Sequence, residues 1–403
     1  MRIVHVEDFI HPDAGYQVNM LARLQVLQGH QVDIVAGELD KIPTFLTEFF
    51  GRDRIEARDE RYRSETGARI HRVPLHGFYS GRAIFHMFRL LKKVHQLKPD
   101  VVFVHGEDTL TGMLFIVLSG RLPYPLVLDC HMLEMASKNR YREYFRVFYK
   151  RFITPIILKR KIPLIRVVDS DFVEKCLGIP LKHTHYLSLG TDTDYFHPNS
   201  GVKRQVREQL GLSEGAFVVL YAGKLDEQKG GILLSDAVMK KLKSSTGRAI
   251  EFLIIGNVVG EYGKRVEEKL KSSENRVVRL PTQRYFDLAQ YYQSADLAVF
   301  ARQCSMSFFE AQSCGLPVLF EQNEINNMRV RGSNAFTFEP GSVDSLREQI
   351  SSLASKPASE YQCYAFEARD FVLKNYDFVP IAQQYSDVLR EAIETWRQRN
   401  KDL

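Results

Sequence analysis

The sequence predicts an α/β protein built from two Rossmann-like domains, each a parallel sheet with helices between its strands. Three observations carry that expectation. Short apolar runs alternate with helically patterned stretches along nearly all of the 403 residues, the mark of repeated βα units. Some of these runs, such as Val101-Val102-Phe103-Val104, are apolar on both faces, as strands covered by helices on both sides are. A polar connection, Asn199 to Gln205, separates two such series, and a chain of this length suits two cores better than one.

In the first series, Arg2 to Val6 reads as a strand, followed by the turn-rich loop His11-Pro12-Asp13-Ala14-Gly15-Tyr16. Apolar residues from Val18 to Leu27 recur at helical spacing, and Gly29 ends that helix before the strand His30–Ala36. Ile70–Val73, Val101–His105, Leu126–Asp129 and Leu164–Val168 read as further strands, with helices at Ala83–Gln96, Thr109–Leu118 and Phe172–Leu177. Residues at strand carboxyl ends are the chemical candidates in such sheets, which points to His105 and to Asp129-Cys130-His131. By position alone, His131 reads more readily as a hydrogen-bonded structural histidine than as a functional one.

The second series opens on the strand Val218–Tyr221, which runs into Ala-Gly-Lys-Leu-Asp-Glu-Gln-Lys-Gly-Gly at 222–231. Gly223 permits a sharp turn and close approach of a ligand, while Lys224 and Lys229 place two cations before a helix start at Ile232–Val238. A strand, a cationic small-residue loop and a helix N-terminus together suit a phosphate; the plainer reading is a βα loop with two solvated lysines. Glu251–Ile255 ends in Gly256-Asn257, again a strand with a glycine loop. Val277–Leu280, Leu297–Phe300, Pro317–Phe320 and Ala335–Phe338 complete the strands, with helices at Asp287–Gln293, Ser307–Ser313 and near Ser345–Leu353. A long closing helix from about Ile381 to Arg399 carries Ile381, Tyr385, Val388, Leu389, Ala392 and Trp396 on one face. The domains are expected at 1–198 and 199–378, with 379–403 as that helix.

Composition is that of a well-buried globular protein, with 44% apolar and 26% charged residues. A formal charge of +6 favours anionic partners without choosing among them. The five cysteines are scattered and lack metal-ligand spacing, as in a reducing compartment. No signal-peptide pattern opens the chain, and the longest apolar run, Met113 to Leu118, is far too short to span a bilayer, so a cytoplasmic protein is expected. The segment 138–161 stands apart. Lys138, Arg140, Arg142, Arg146, Lys150, Arg151, Lys159, Arg160 and Lys161 interleave with Tyr141, Tyr144, Phe145, Phe148, Tyr149 and Phe152, against one acid, Glu143. It reads equally as an amphipathic helix on an anionic membrane surface, making the protein peripheral on the cytoplasmic face, or as a solvated helix whose aromatic stripe packs on the core. Nucleic acid is not an expected partner, because no nucleic-acid motif accompanies the patch.

Five motifs occur in one order: Gly-Tyr-Gln at 15–17, Gly-His-Gln-Val at 29–32, Leu-Gly-Thr-Asp-Thr-Asp-Tyr-Phe-His-Pro at 189–198, Gly-Lys-Leu-Asp-Glu-Gln-Lys-Gly at 223–230 and Phe-Phe-Glu-Ala-Gln-Ser-Cys-Gly-Leu-Pro-Val at 308–318. Together they resemble glycosyltransferase family 4, a family of the GT-B fold in which two Rossmann-like domains face across a cleft, and in particular its bacterial members that build cell-surface polysaccharides and glycolipids. The resemblance implies a retaining transferase that takes a nucleotide-sugar donor, with uridine the favoured base, and passes a hexose or N-acetylhexosamine to a saccharide or lipid-linked acceptor, with no cofactor and no metal. It implies donor binding by Gly15, Tyr16, Gly223, Lys224, Lys229, Gly256, Ser305, Met306, Ser307 and Glu310. Lys224 and Lys229 match the basic pair that neutralises the departing diphosphate, a task fixed cations perform in a partly desolvated site. Glu310 matches the glutamate that accepts hydrogen bonds from the ribose hydroxyls. His131 matches the histidine near the transferred sugar, so with the resemblance added it is expected to be catalytic, with Lys224 and Lys229.

Two places depart from the family pattern. Arg302 stands where the family usually has a second glutamate facing the transferred sugar, and the glycine pair of the first loop is replaced by Gly15-Tyr16. Two other readings therefore stay open beside the transferase: a sugar-nucleotide 2-epimerase of the same fold, and a catalytically inert nucleotide-sugar-binding protein.

Overall fold

The computed structural model describes residues 1–47, 49–79, 82–131, 140–302 and 306–401, and it divides into two compact units. Unit 1 is Met1–Leu189 with Val379–Leu403, and unit 2 is Gly190–Phe378. The division falls earlier than the polar connection that the sequence suggests. Its cause is local: Thr191 forms a parallel bridge with Asp377, its N–H donating to Tyr376 O (2.9 Å) and its carbonyl accepting from Phe378 N (2.9 Å). Thr193 Oγ1 adds a bond to Asp377 Oδ1 (3.0 Å), and Phe196 is buried against Tyr285. The motif at 189–198 thus ties its own segment into unit 2.

Among its described residues, unit 1 has nine strands: β1 (Arg2–Glu7), β2 (Gln31–Gly37), β3 (Arg69–Val73), β4 (Leu75–Tyr79), β5 (Arg82–Phe85), β6 (Val101–His105), β7 (Leu126–Cys130), β8 (Leu164–Arg166) and β9 (Thr184–Tyr186). Seven form one parallel sheet in the order β3-β2-β1-β6-β7-β8-β9, while β4 and β5 make an antiparallel hairpin. The sheet reverses its winding between β1 and β6, and at such a point open α/β sheets bind ligands. β1, β6 and β7 are almost wholly buried, as their two-sided apolar runs require.

One expectation in unit 1 is corrected. Residues 82–85 are a strand, and the helix expected over Ala83–Gln96 begins at Met87. Ala83 and Phe85 are buried in alternation, the period of a strand, whereas Leu90 and Val94 bury at helical spacing. In the basic segment, the helix Arg142–Phe148 continues through a π-helical turn, Tyr149–Ile153, into the helix Thr154–Arg160; Lys138 lies outside the described residues. Its aromatic residues divide. Tyr149 is fully buried with Ile153 and Ile157, while Tyr144 is 78% and Phe152 59% exposed, with Val147 and Phe148 on the same outer side.

Among its described residues, unit 2 has six parallel strands, β10 (Phe217–Ala222), β11 (Ile250–Ile255), β12 (Arg276–Leu280), β13 (Leu297–Phe300), β14 (Val318–Glu321) and β15 (Ala335–Phe338), in the order β12-β11-β10-β13-β14-β15. Its winding reverses between β10 and β13. The connection Asn199–Gln205 is largely helical, being the start of the helix Ser200–Gln209. The Asn199 side chain caps it by accepting from the N–H groups of Gly201 and Val202, both at 3.1 Å. A helix at Ala358–Asn375, to which the sequence reading gave no element, buries only Tyr364, Ala368 and Val372.

Candidate active site

In unit 2, the lysine loop leaves β10 at the winding reversal. Gly223 N donates to Ile255 O (3.0 Å), which brings it beside Gly256 at the end of β11. Gly256 has φ +147°, and a Cβ there would be driven into Gly223 O. The two strand ends therefore approach as bare backbone, which only glycine allows. The loop is then fixed from within. Lys229 N donates to Asp226 Oδ1 (2.9 Å), Tyr221 OH to Lys224 O (2.5 Å), and Gly231 N to Asp226 O (3.0 Å). Lys224 is exposed and Lys229 half-buried.

Arg302, at the end of β13, reaches this loop. Its Nη1 donates to Glu227 O (3.2 Å), and a Cβ on Gly230 would come within 2.9 Å of its Cγ. Three cations, Lys224, Lys229 and Arg302, are thus carried on two adjoining strand ends. Beyond lies the helix Ser307–Ser313, which holds Glu310 4% exposed with Tyr285 OH 3.5 Å from its Oε1. Burial pushes the Glu310 carboxyl up to about 8, its backbone and Tyr285 hydrogen bonds acting the other way. Met306 and Ser307 begin that helix, and Ser305 lies outside the described residues.

In unit 1, the carboxyl ends of β1, β6 and β7 hold a second set. His105 Nδ1 lies 2.5 Å from Asp129 Oδ2, and His131 Nε2 lies 3.1 Å from the same oxygen. Asp129 Oδ1 accepts from Gly106 N (2.8 Å). His105 Nε2 lies 2.9 Å from His5 Nδ1, and His5 Nε2 lies 2.7 Å from Gln25 Oε1. Burial opposes the charge of Asp129, but the two histidines and their hydrogen bonds outweigh it and hold this carboxyl far below the ordinary range. Burial likewise opposes the His131 imidazolium, yet the Asp129 carboxylate raises its pKa above the usual histidine value. Burial, with His105 beside it, lowers His5 to about 3. Burial raises Glu7, at the end of β1, to about 8, and lifts Glu107 well above the carboxylate range. His131 is 42% exposed while Asp129 is fully buried, so the dyad offers one ring to solvent on a hidden anion. Among the described residues, His105, Asp129 and His131 are also a group that could hold a metal ion, their ligand atoms lying within 4.8 Å of one another.

Residues 216–356 match the family described as "Glycosyl transferases group 1", and residues 14–155 match the "Glycosyl transferase 4-like domain". Between them these cover most of both units. The chain belongs to glycosyltransferase family 4. A D-inositol 3-phosphate glycosyltransferase of Segniliparus rotundus is 29% identical over 54% of this chain and 50% of its own length. The alpha-monoglucosyldiacylglycerol synthase of Acholeplasma laidlawii is 25% identical over 80% of this chain and 79% of its own. Anabaena HepE, whose structure contains UDP and glucose, superposes with a TM-score of 0.67 at 18% identity, over 97% of this chain and 99% of that one. That likeness shows the fold, GT-B. The chain spans about half, or less, of the length of several of the curated relatives it matches.

Against this family background, the structure gathers Gly223, Lys224, Lys229 and Gly256 on one corner of unit 2, with Ser307 and Glu310 on the helix that follows β13. It places Gly15 and Tyr16 in unit 1, on the loop between β1 and the helix Gln17–Leu27, where Tyr16 packs edge-on against Phe9. Sequence reasoning missed His5, Gln25 and Glu107. His5 carried a usable signal, a histidine inside an otherwise apolar central strand; the other two carried none.

Proposed function

We propose that this protein is a retaining glycosyltransferase that uses a nucleotide-sugar, preferentially a UDP-sugar, and delivers a hexose or N-acetylhexosamine to a saccharide or lipid-linked acceptor. The observation that supports this most is the corner of unit 2 at Gly223 and Gly256. Bare backbone, two lysines and a helix start suit a diphosphate, and the buried carboxyl of Glu310 suits ribose hydroxyls. In this reading Lys224 and Lys229 stabilise the leaving diphosphate without a metal, and His131 contacts the transferred sugar. UDP in the Anabaena relative and the lipid named in the Acholeplasma one support the donor base and the acceptor class. The test is product analysis with UDP-glucose and UDP-N-acetylglucosamine, with and without saccharide and diacylglycerol acceptors. A new α-glycoside with UDP release is expected. Alteration of the donor without an acceptor would identify the epimerase instead, and no turnover with intact donor binding would identify the inert protein.

The outer face of residues 140–161 supports a peripheral site on an anionic membrane. Tyr144, Val147, Phe148 and Phe152 are exposed on the segment that also carries Arg151, Lys159 and Lys161. No helix among the described residues is long and apolar enough to cross a membrane. Lys150 Nζ donates to Lys175 O (2.7 Å) and Arg160 lies against Gly120, so these two cations also serve the fold. Charge reversal at Arg151, Lys159 and Lys161 should therefore abolish binding to phosphatidylglycerol vesicles, and unchanged binding would end the membrane reading.

A further inference from the structure

The bonds around Asp129 fix more than a dyad. They run as one line, Gln25–His5–His105–Asp129–His131, across the helix Gln17–Leu27 and the adjoining strands β1, β6 and β7. Every side chain in it except His131 is buried. Such a line must have a direction, because each contact needs one donor and one acceptor.

Asp129 sets that direction. Its Oδ1 is committed to Gly106 N–H, and its Oδ2 accepts from both sides, from His105 Nδ1 and from His131 Nε2. His131 must therefore carry a proton on Nε2. At the far end, Gln25 Nε2 has no partner among the described residues while its Oε1 meets His5. With the amide so placed, His5 donates from Nε2 and accepts at Nδ1 from His105 Nε2–H, so His105 carries protons on both nitrogens. With the amide turned over, every bond reverses as far as His105, which then carries one proton on Nδ1. Both settings keep the His105 Nδ1–H aimed at Asp129. They differ by one proton, and hence in how much of the Asp129 charge is left for His131.

We propose that His5, His105 and Asp129 are positioning residues, a buried chain that holds the proton of His131 on Nε2 and so leaves Nδ1 as the nitrogen presented to a ligand. That the ligand is a sugar hydroxyl rests on the transferase reading; the tautomer does not. Among the described residues, the charged and titratable groups facing His131 are Asp129 and His105 within the chain and Glu7 from β1, with Glu107 and Asp8 beyond them.

The test is ring-nitrogen NMR on the full chain labelled at histidine, with His131 assigned by the loss of its signals in His131→Gln. At a pH above the His131 titration, where the ring is neutral, the wild type should show the Nε2–H tautomer for His131; a neutral ring protonated on Nδ1 would overturn the proposal without any variant. Asp129→Asn should then switch the tautomer. Gly106 N–H still demands an oxygen, so the new amide would turn its NH₂ toward both histidines, and His131 could answer only by accepting at Nε2. A folded Asp129→Asn protein that keeps Nε2–H contradicts the proposal. His105→Asn is the second variant. Its amide can still donate to Asp129 Oδ2, so His131 should keep Nε2–H, and a folded His105→Asn protein with an Nδ1–H ring at His131 contradicts the chain. In a transfer assay, Asp129→Asn should lower kcat by roughly ten- to a hundredfold, the scale for an outer partner of a functional histidine, with the donor KM little changed. An equal fall in both variants' stability with no tautomer change in Asp129→Asn would mark the chain as structural only. The NMR result stands whether or not transfer is found, so failure of this inference and failure of the transferase reading are told apart.

Discussion

Replacing Glu310 by Gln should make the protein more stable at neutral pH, and by a predictable amount. Glu310 is 4% exposed, and burial pushes its carboxyl from the ordinary 4.5 to about 8. Between these values the unfolded chain has lost the proton that the folded protein keeps. The unfolded state then binds fewer protons, so stability falls as pH rises through this window and levels off above about pH 8. Each pKa unit corresponds to about 1.36 kcal/mol, and roughly two and a half units of the window lie below pH 7, which gives a cost on the order of 3 kcal/mol there. An amide of the same shape does not titrate. Glu310→Gln should match the wild type near pH 4.5 and exceed it by that margin at pH 7, measured as urea unfolding at both pH values. A margin that does not change with pH, or a variant less stable at pH 7, would refute the reasoning. A carboxyl kept at such a cost is what a binding role explains.

Further expectations concern the same units. If ribose hydroxyls meet Glu310 as a carboxylate, nucleotide binding at pH 7 should release up to about one proton; calorimetry in buffers of different ionisation heat reads this, and identical heats would exclude it. Gly256→Ala should destabilise unit 2 by at least about 2 kcal/mol in urea unfolding and weaken nucleotide binding, because φ +147° is strained for alanine and its Cβ meets Gly223 O; an unaffected midpoint would contradict the close approach. Lys229→Ala should slow transfer by roughly 10²-fold or more, the scale of losing one charge-stabilising group, and normal turnover would remove Lys229 from the mechanism. Arg302→Ala, which deletes the bond to Glu227 O, should weaken nucleotide binding several-fold with little effect on stability; tighter binding would show that Arg302 does not support the loop.

Much of the fold was legible because parallel strands buried on both faces write themselves as apolar runs. Val101–His105 and Val218–Tyr221 lie where the sequence puts them, the latter within a slightly longer strand. The hairpin β4–β5 was not legible, since Arg82–Phe85 is too short to show its alternation before the helix at Met87 takes over. The helix Ala358–Asn375 was missed because half-exposed positions blur its apolar face. The lysine loop could be found from Gly223, Lys224 and Lys229, which are contiguous in sequence. The buried chain below His131 could not, because it depends on strand order. His5 and His105 become neighbours only when β1 and β6 pair, and nothing along the sequence states that pairing. Arg302 was visible as a departure from the family pattern; its contact with Glu227 O was not, because that rests on β10 lying beside β13.

The most direct test of the account is calorimetric titration of the purified protein with UDP, GDP and ADP in the presence of a chelator. Saturable binding of UDP in preference to the other two, lost in Lys229→Ala, is the predicted result. Absence of binding by all three nucleotides would contradict it, because the corner formed by Gly223, Gly256 and the two lysines would then not be a diphosphate site.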